Sequence, residues 1–276
     1  MALERPGAFA RHEAPLMAID AIVLAGDRRA NDPVAVAAGV RAKCLTPIGG
    51  TPMAIRVVRA LRDSGRIGRI LLCGPTEPTV ESSPDLREVR AEGVGWIAPQ
   101  ATPCTSAAAA LATLPGDAPV LVTTGDHALL APAMVREFLD QAMARGGDVA
   151  VALAPYDLVR EAYPETRRTV LKFSDGRFCG CNLFAFLTPR GREMVRIWRQ
   201  IENDRKNPIR VIGLVGWGAM ARYALGALSL AEGLRRISQQ TGIAASVIPL
   251  PFAEAAIDVD SVADLELVRS IVARRG

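Results

Sequence analysis

The chain has 276 residues, of which half are hydrophobic and 22% are charged, so it has the size and composition of a globular protein with a sizeable core. Its net charge is +4, from 33 basic and 29 acidic residues, and the arginines are scattered along the chain. The sequence shows no basic stripe with interleaved aromatic residues, which argues against nucleic acid as a partner.

The cysteine usage indicates a reduced, cytoplasmic compartment. Five cysteines form an odd set with no repeated spacing, and only two histidines accompany them. Cys179 and Cys181 are too close together for a structural zinc clamp. Residues 1–17 lack the apolar stretch of a signal peptide and predict a flexible leader.

The first half of the chain alternates strand-like and helix-like patterns. Residues 19–25 form a continuous apolar run, as in a buried parallel strand, and residues 52–64 have helical periodicity with Pro52 at the first position. The further elements predicted in this half are strands 69–73 and 95–98, helix 102–114, strand 119–124, helix 131–145 and strand 148–154. This alternation predicts an α/β fold with a doubly wound, mostly parallel mixed sheet.

The second half has a different pattern. Residues 168–173 and 182–186 predict antiparallel strands with a turn at Asp175 and Gly176. The remaining predicted elements are helix 189–203, a helical region 208–241, strand 245–250 and helix 261–274, which Asp260 or Ser261 caps. Because no linker or repeat divides the chain, we expect one domain over residues 18–276.

Residues 211–234 are almost wholly apolar, with Arg222 and Glu232 as their only charged residues. The central arginine argues against a membrane span, and so do the glycines that interrupt the segment at Gly213, Gly216, Gly218 and Gly226. A buried pair of helices is the favoured interpretation. The alternative is a lid or a peripheral membrane contact through residues 205–234, because Arg205, Lys206 and Arg210 would suit an anionic surface.

The loop 26–43 carries the strongest chemical signal. It follows an apolar strand, begins at Gly26, contains Arg28 and Arg29, and ends at Lys43, just before a Gly-Gly turn and a helix. Backbone N–H groups and a lysine are suited to binding the phosphates of a nucleotide. The alternative is a surface loop with solvated charges.

The run LAG, followed after the loop by KCLTPIGGTPM, resembles the signature of nucleotidyltransferases with the Rossmann-like GT-A fold, in a divergent MobA-like branch. The resemblance implies that Leu24, Ala25, Gly26, Arg28 and Arg29 surround a nucleoside triphosphate and that Lys43 binds its phosphate oxygens. One position departs from the family pattern, since Asp27 stands where a second glycine is usual.

Two aspartates are candidate metal ligands. Asp126 follows the strand VLVTT, at the edge where open α/β sheets place ligands. The resemblance implies that Asp126 and Asp258 are the two metal-binding carboxylates, holding Mg²⁺ or alternatively Mn²⁺, whose hard oxygen ligands need only one or two carboxylates besides phosphates. Asp258 and Asp260 share one side of a short strand. We expect Asp260 and Asp264 to cap the last helix, and His127 to be structural.

Two further groups of residues carry implied roles. The segment TPCTSAAAAL resembles the part of the family that lies under the nucleobase, which makes Gln100, Thr105 and Ser106 candidates for base contacts. An ordinary helix cap is the alternative. The resemblance places the acceptor in the second half, and the candidates there share a polar or basic character: Arg167, Arg168, Lys172 and Asn182. A solvated strand edge is the alternative for the basic residues.

The resulting hypothesis is a Mg²⁺-dependent nucleotidyltransferase that moves a nucleoside monophosphate from a nucleoside triphosphate to a phosphorylated small molecule and releases pyrophosphate. Residues 18–150 would bind the nucleotide, and residues 151–276, with a helical insertion at 205–241, would bind the acceptor. CTP or GTP is favoured as the donor, with Thr105 and Ser106 favouring CTP. The alternatives are an inactive nucleotide-binding regulator, a nucleotide-sugar glycosyltransferase and, more remotely, a dehydrogenase. The sequence leaves the oligomeric state open.

Overall fold

A computed structural model describes residues 18–275 apart from Arg28, Ala30 and residues 205–215. The predicted leader, Arg28 and the basic residues upstream of the apolar segment therefore lie outside the described residues. The division into nucleotide and acceptor halves stays a prediction.

The core of the structure is an eight-stranded mixed sheet. The described strands are β1 Ile19–Leu24, β2 Pro47–Ile48, β3 Thr51–Pro52, β4 Ile67–Cys73, β5 Gly95–Ile97, β6 Val120–Thr124, β7 Val149–Pro155, β8 Leu171–Phe173, β9 Gly176–Phe186 and β10 Ala245–Pro249. The order in the large sheet is β10-β7-β9-β6-β1-β4-β5, with β8 paired to β9, and β2 and β3 form a separate two-stranded sheet. Among these described strands, the pairings of β9 with β6, β7 and β8 are antiparallel and the other pairings of the large sheet are parallel. This arrangement confirms the predicted fold class.

Helices cover both faces of the sheet. Ala21 and Val23 of β1 pack into one buried cluster, while Ile22 between them packs into another, so the strand is apolar throughout. The described helices are α1 Pro33–Ala38, α2 Met53–Asp63, α3 Glu77–Ser82, α4 Pro84–Ala91, α5 Pro103–Ala112, α6 Pro132–Arg145, α7 Tyr156–Ala162, α8 Pro189–Arg192, α9 Met194–Asp204, α10 Trp217–Ala224, α11 Leu230–Thr241 and α12 Val262–Ala273, with 3₁₀ turns at Lys43–Leu45 and Ala253–Ala256.

The hairpin of the second half differs from its prediction. Strand β8 begins at Leu171 rather than at residue 168, and Phe173 pairs with Gly176, so the two-residue turn lies one position earlier than predicted. Strand β9 is longer than predicted and contains a register shift against β7. Asn182 lies at this shift with a φ of 50°. The irregular backbone there turns its side chain toward the C-terminal segment.

The described part of the predicted helical region 208–241 contains two separate helices, α10 and α11. Helix α11 begins anew because Ser229 accepts a hydrogen bond from the Glu232 N–H. The prediction of a buried helical pair is wrong there, since Trp217 is 66% exposed and Leu225 82% exposed. None of the helices in the described residues is long and apolar enough to cross a membrane. Peripheral membrane contact stays a prediction.

The carboxyl ends of β1, β4 and β6 meet at one edge of the sheet, and glycine permits their close approach. Gly74, just after β4, has a φ of 93°, and a side chain there would place its Cβ 2.6 Å from the Gly26 nitrogen. The Gly125 N–H donates to the Leu24 carbonyl at 2.8 Å, which joins the ends of β1 and β6. These contacts bring the loops that follow the three strands together.

Candidate active site

A cleft of about 330 Å³ opens at this edge, above the ends of β1 and β6 and beside the start of α5. Most of the predicted nucleotide-site residues that the structure describes line it. Those residues are Leu24, Ala25, Gly26, Arg29, Lys43, Gln100, Ser106 and Asp126. The cleft also contains residues that had no assigned role at this site, among them Asp27, Asp32, Thr102 and Asp260.

Lys43 lies at the centre of the charged part of the cleft. The 3₁₀ turn Lys43–Leu45 presents its side chain, and its Nζ lies 2.6 Å from Asp126 Oδ2 and 2.9 Å from Asp260 Oδ1. Burial alone would lower the pKa of Lys43, but the attraction of Asp126 and then Asp260 outweighs it and raises the pKa. The lysine is therefore a fixed positive charge between two carboxylates.

Asp27 closes the loop around this lysine. The Lys43 N–H donates to Asp27 Oδ1 at 3.0 Å. Burial raises the pKa of Asp27, and the charge of Asp32 adds to the rise. Asp32 itself caps α1 by accepting from the Val34 N–H at 2.9 Å. Asp27 thus gives the loop a side-chain contact that glycine would lack.

Asp126 follows β6, as predicted, and is tied to the C-terminal segment because its carbonyl accepts from the Val259 N–H at 3.1 Å. Its Oδ2 contacts Lys43, whereas its Oδ1 is buried and accepts no hydrogen bond from any described residue. The neighbouring His127 is 1% exposed, and burial lowers its pKa to about 4, so the ring is neutral near pH 7.

Asp260, rather than Asp258, lies in the cleft. Asp258 was expected to be free, but its Oδ1 accepts from Arg168 and its Oδ2 accepts from Asn182 Nδ2 at 2.7 Å. Burial raises the pKa of Asp258, and the charges of Asp126 and Asp260 raise it further. Asp260 was expected to cap α12, yet its side chain is 63% exposed in the cleft. Ser261 supplies the cap, because its Oγ accepts from the Asp264 N–H at 3.2 Å.

Near the start of α5, the structure separates Ser106 from Thr105. Ser106 is buried, lines the cleft and accepts from the Gln100 N–H at 2.8 Å. Thr105 is not among the residues that line the cleft. Its hydroxyl accepts from the Thr102 N–H at 3.0 Å, and its own N–H donates to Thr102 Oγ1 at 3.2 Å. This reciprocal pair is a capping box. Thr105 therefore belongs to the helix cap, which was the alternative interpretation of this segment.

The four candidate acceptor residues do not form one cluster. Arg168 turns inward, where it contacts Asp258 and Asp264, and Asn182 contacts Asp258. Arg167 and Lys172 are exposed. Arg168 therefore does not present a free charge to an acceptor, because its guanidinium is engaged by two carboxylates.

Few of the described side chains are placed to ligate a metal ion. Within the described part of the chain, no group of three or more His, Cys, Asp or Glu side chains is arranged to hold a metal ion. Asp126 and Asp260 are the cleft carboxylates whose oxygens contact Lys43 Nζ. Any metal bound there would therefore need oxygen ligands from a phosphate or from water.

Comparison with known proteins shows the family of the chain. Residues 21–245 match the family described as the MobA-like NTP transferase domain. A solved structure described as a hypothetical transferase from Thermus thermophilus is 29% identical, with a TM-score of 0.75 over 90% of this chain and 100% of that one. No curated protein matches the chain.

Two more distant solved structures share the fold. CMP:2-keto-3-deoxy-manno-octonic acid synthetase, solved with CTP, is 15% identical with a TM-score of 0.58 over 94% of this chain and 100% of that one. The 2-C-methyl-D-erythritol 4-phosphate cytidylyltransferase from Thermus thermophilus is 15% identical with a TM-score of 0.55 over 93% of this chain and 99% of that one. With the family match over most of its length and the cleft at the carboxyl edge of its sheet, this chain belongs to the MobA-like NTP transferase family and is a nucleotidyltransferase.

Proposed function

We propose that the protein transfers a nucleoside monophosphate from a nucleoside triphosphate to a phosphorylated small-molecule acceptor, with Mg²⁺ and with release of pyrophosphate. The observation that carries this proposal is the position of Lys43, whose ammonium joins Asp126 and Asp260 in a cleft lined by the loop after β1. A fixed cation and two carboxylates are the groups that a triphosphate and its metal require.

The proposed reaction does not require a covalent intermediate with the protein. A phosphate oxygen of the acceptor attacks the α-phosphorus of the nucleotide, and the bond from that phosphorus to the bridging oxygen breaks. Pyrophosphate leaves with the electron pair. No general base is required, since a phosphate acceptor is already ionised near pH 7. Lys43 stabilises the negative charge that develops on the phosphate oxygens, so electrostatics and positioning account for most of the rate.

The residues present fit a magnesium ion. Asp126 Oδ1 is a buried oxygen to which no described residue donates, and an anion of this kind gains from a cation. Asp126 and Asp260 would hold the ion, because both carboxylate oxygens of Asp258 already accept hydrogen bonds. When bound, Mg²⁺ would neutralise charge on the triphosphate and act as a Lewis acid. Mn²⁺ takes the same oxygen ligands.

Separate observations support a choice of base and of acceptor site. Gln100 and Ser106 line the cleft at the start of α5 together with the small residue Ala101, which leaves room for a planar base near the backbone. The synthetase that shares the fold was solved in complex with CTP, which supports CTP over GTP. For the acceptor phosphate, the exposed Arg167 and Lys172 remain as candidates.

A thermal-shift panel with the four nucleoside triphosphates, each with and without Mg²⁺, tests the proposal first. We expect one nucleotide to stabilise the protein in the presence of Mg²⁺, and we expect the Asp126→Asn variant to lose that effect. Release of pyrophosphate against a library of phosphorylated acceptors then tests catalysis. Stabilisation by a nucleotide without release of pyrophosphate from any acceptor would favour the inactive regulator, and transfer from a nucleotide sugar would favour the glycosyltransferase.

A further inference from the structure

Arg168 is an almost fully buried arginine, 9% exposed, that precedes the hairpin of β8 and β9. Each nitrogen of its guanidinium has a protein acceptor. Nε donates to Thr166 Oγ1 at 3.0 Å, Nη1 donates to Asp258 Oδ1, and Nη2 donates to the Asp258 carbonyl at 3.0 Å and to Asp264 Oδ1. These four hydrogen bonds use four of the five N–H donors of the guanidinium, so at most one donor is left for a ligand phosphate.

The two aspartates that Arg168 contacts lie on either side of Asp260. Asp258 is two residues before it and Asp264 four residues after it. Asp264 also contacts the segment between them, because its Oδ2 accepts from the Asp260 N–H at 3.3 Å and from Ser261 Oγ at 2.7 Å. One guanidinium therefore fixes both ends of the turn that carries Asp260 into the cleft.

Asn182 adds a second contact from the same hairpin. Its Nδ2 donates to Asp258 Oδ2 at 2.7 Å, on the oxygen that Arg168 does not occupy. The residue has a φ of 50° at the register shift in β9, a conformation that non-glycine residues adopt rarely. The hairpin thus holds Asp258 through both of its oxygens.

We infer that Arg168 is a positioning residue that holds Asp260 beside Lys43 and Asp126 in the nucleotide site. This inference rests on the proposed function, in which Asp260 is a metal ligand. The positioning role requires an arginine, because the planar guanidinium contacts Asp258 and Asp264 at once, whereas a lysine ammonium is a single point charge. The hairpin of the acceptor half is thereby linked to the metal-binding turn.

The test compares Arg168→Lys with the matched control Arg160→Lys, which changes an exposed arginine on α7. Mn²⁺ binding to nucleotide-free protein is measured by electron paramagnetic resonance, well below the melting temperature of each variant. KM for Mg²⁺–nucleotide and KM for the acceptor are measured separately. We expect Arg168→Lys to weaken Mn²⁺ binding roughly 10-fold to 100-fold, as loss of a group that orients a ligand does, and to raise KM for the nucleotide. KM for the acceptor should not change, and Arg160→Lys should match the unsubstituted protein.

Equal Mn²⁺ affinity of Arg168→Lys and the unsubstituted protein would overturn the inference alone. A rise confined to KM for the acceptor would also overturn it and would return Arg168 to acceptor binding. If Arg168→Lys does not fold, Asp264→Asn replaces it as the test variant, because it removes one of the two carboxylates that Arg168 contacts. Unchanged Mn²⁺ affinity of Asp264→Asn would then overturn the inference. Failure of the unsubstituted protein to bind either Mn²⁺ or nucleotide would overturn the proposed function, and this inference with it.

Discussion

Lys43 Nζ and Asp260 Oδ1 lie 2.9 Å apart although 217 positions separate the two residues in the sequence. The loop after the first strand and the turn before the last helix therefore meet across the cleft. Because Lys43 also lies 2.6 Å from Asp126, one ammonium bridges two carboxylates of the proposed metal site and offsets one of their two negative charges. The lysine takes part in the organisation of the site before any phosphate reaches it.

Lys43→Met should reduce kcat for nucleotidyl transfer by about 10²–10³-fold, the loss typical when one electrostatic stabiliser of a transition state is removed. The methionine side chain has a similar length, so the change removes charge with little change of shape. Pyrophosphate release at saturating nucleotide and acceptor provides the measurement. Lys43→Arg is the control that keeps the charge, and it should retain more activity than Lys43→Met. A Lys43→Met enzyme with near-normal kcat would show that the lysine does not act on the reacting phosphates.

The same variant should respond more strongly to Mg²⁺ alone. With the ammonium gone, Asp126 and Asp260 keep their charges close together, and a divalent cation gains more by binding between them. We expect Mg²⁺ without nucleotide to raise the melting temperature of Lys43→Met more than that of the unsubstituted protein. Sodium chloride at matched ionic strength is the control for screening. An equal Mg²⁺ response in both proteins would speak against Asp126 and Asp260 as ligands.

Isosteric changes at three aspartates should distinguish the ligands from the buried neighbour. Asp126→Asn and Asp260→Asn should each weaken Mn²⁺ binding roughly tenfold or more, because each removes a charged oxygen from the cleft. Asp258→Asn should have a smaller effect, since an amide oxygen can still accept from Arg168. Electron paramagnetic resonance on nucleotide-free protein gives the three affinities. If Asp258→Asn has the largest effect, the sequence-based assignment of Asp258 as a ligand is the correct one.

The sequence was sufficient to predict the elements with strong local patterns. The apolar runs of β1, β6 and β7 and the periodicity of α2 predicted the sheet and the edge at which Lys43 and Asp126 meet. Short helices such as α3, α4 and α7 were not predicted, because six to eight residues carry little periodic signal and depend on packing for their stability.

The choice between Asp258 and Asp260 could not be made from the sequence. Their spacing of two residues predicts that both point to the same side of an extended segment. What separates them is Arg168, which lies 90 positions from Asp258 and reaches it only in the folded protein. The role of Thr105, in contrast, has a local sequence signal, because a Thr-x-x-Thr spacing at the start of a helix is compatible with a capping box.

Ser106 and Thr105 should respond differently to removal of their hydroxyls. Ser106→Ala removes a hydroxyl that lines the cleft and leaves the Gln100 N–H without its acceptor, so a loss of about 1 kcal/mol of nucleotide binding should raise KM for the nucleotide roughly fivefold. Thr105→Val should instead lower the free energy of unfolding by about 1 kcal/mol through loss of the cap, with KM unchanged. Steady-state kinetics and urea unfolding of both variants check this. A higher nucleotide KM in Thr105→Val would restore Thr105 to the nucleotide site.

Tyr163 should make stability depend on pH in the alkaline range. Its hydroxyl donates to Glu254 Oε1 at 2.6 Å, and burial, that hydrogen bond and the charge of Glu254 raise its pKa from 10.0 to about 12. Between these values the unfolded chain loses a proton that the folded protein keeps. The stabilisation is therefore fully present below pH 10 and is lost as the pH rises toward 12, by about 2–3 kcal/mol for a shift of this size.

Tyr163→Phe should lack this loss, because phenylalanine does not titrate. Chemical denaturation from pH 9 to pH 12 gives the free energy of unfolding of the unsubstituted protein and of Tyr163→Phe. The difference between the two values should change across that pH range, because the other titrations are common to both proteins. Absorbance of tyrosinate gives a direct second measurement, in which Tyr163→Phe should remove the ionisation step near pH 12. If the two proteins lose stability in parallel, the hydrogen bond to Glu254 does not hold the proton in solution.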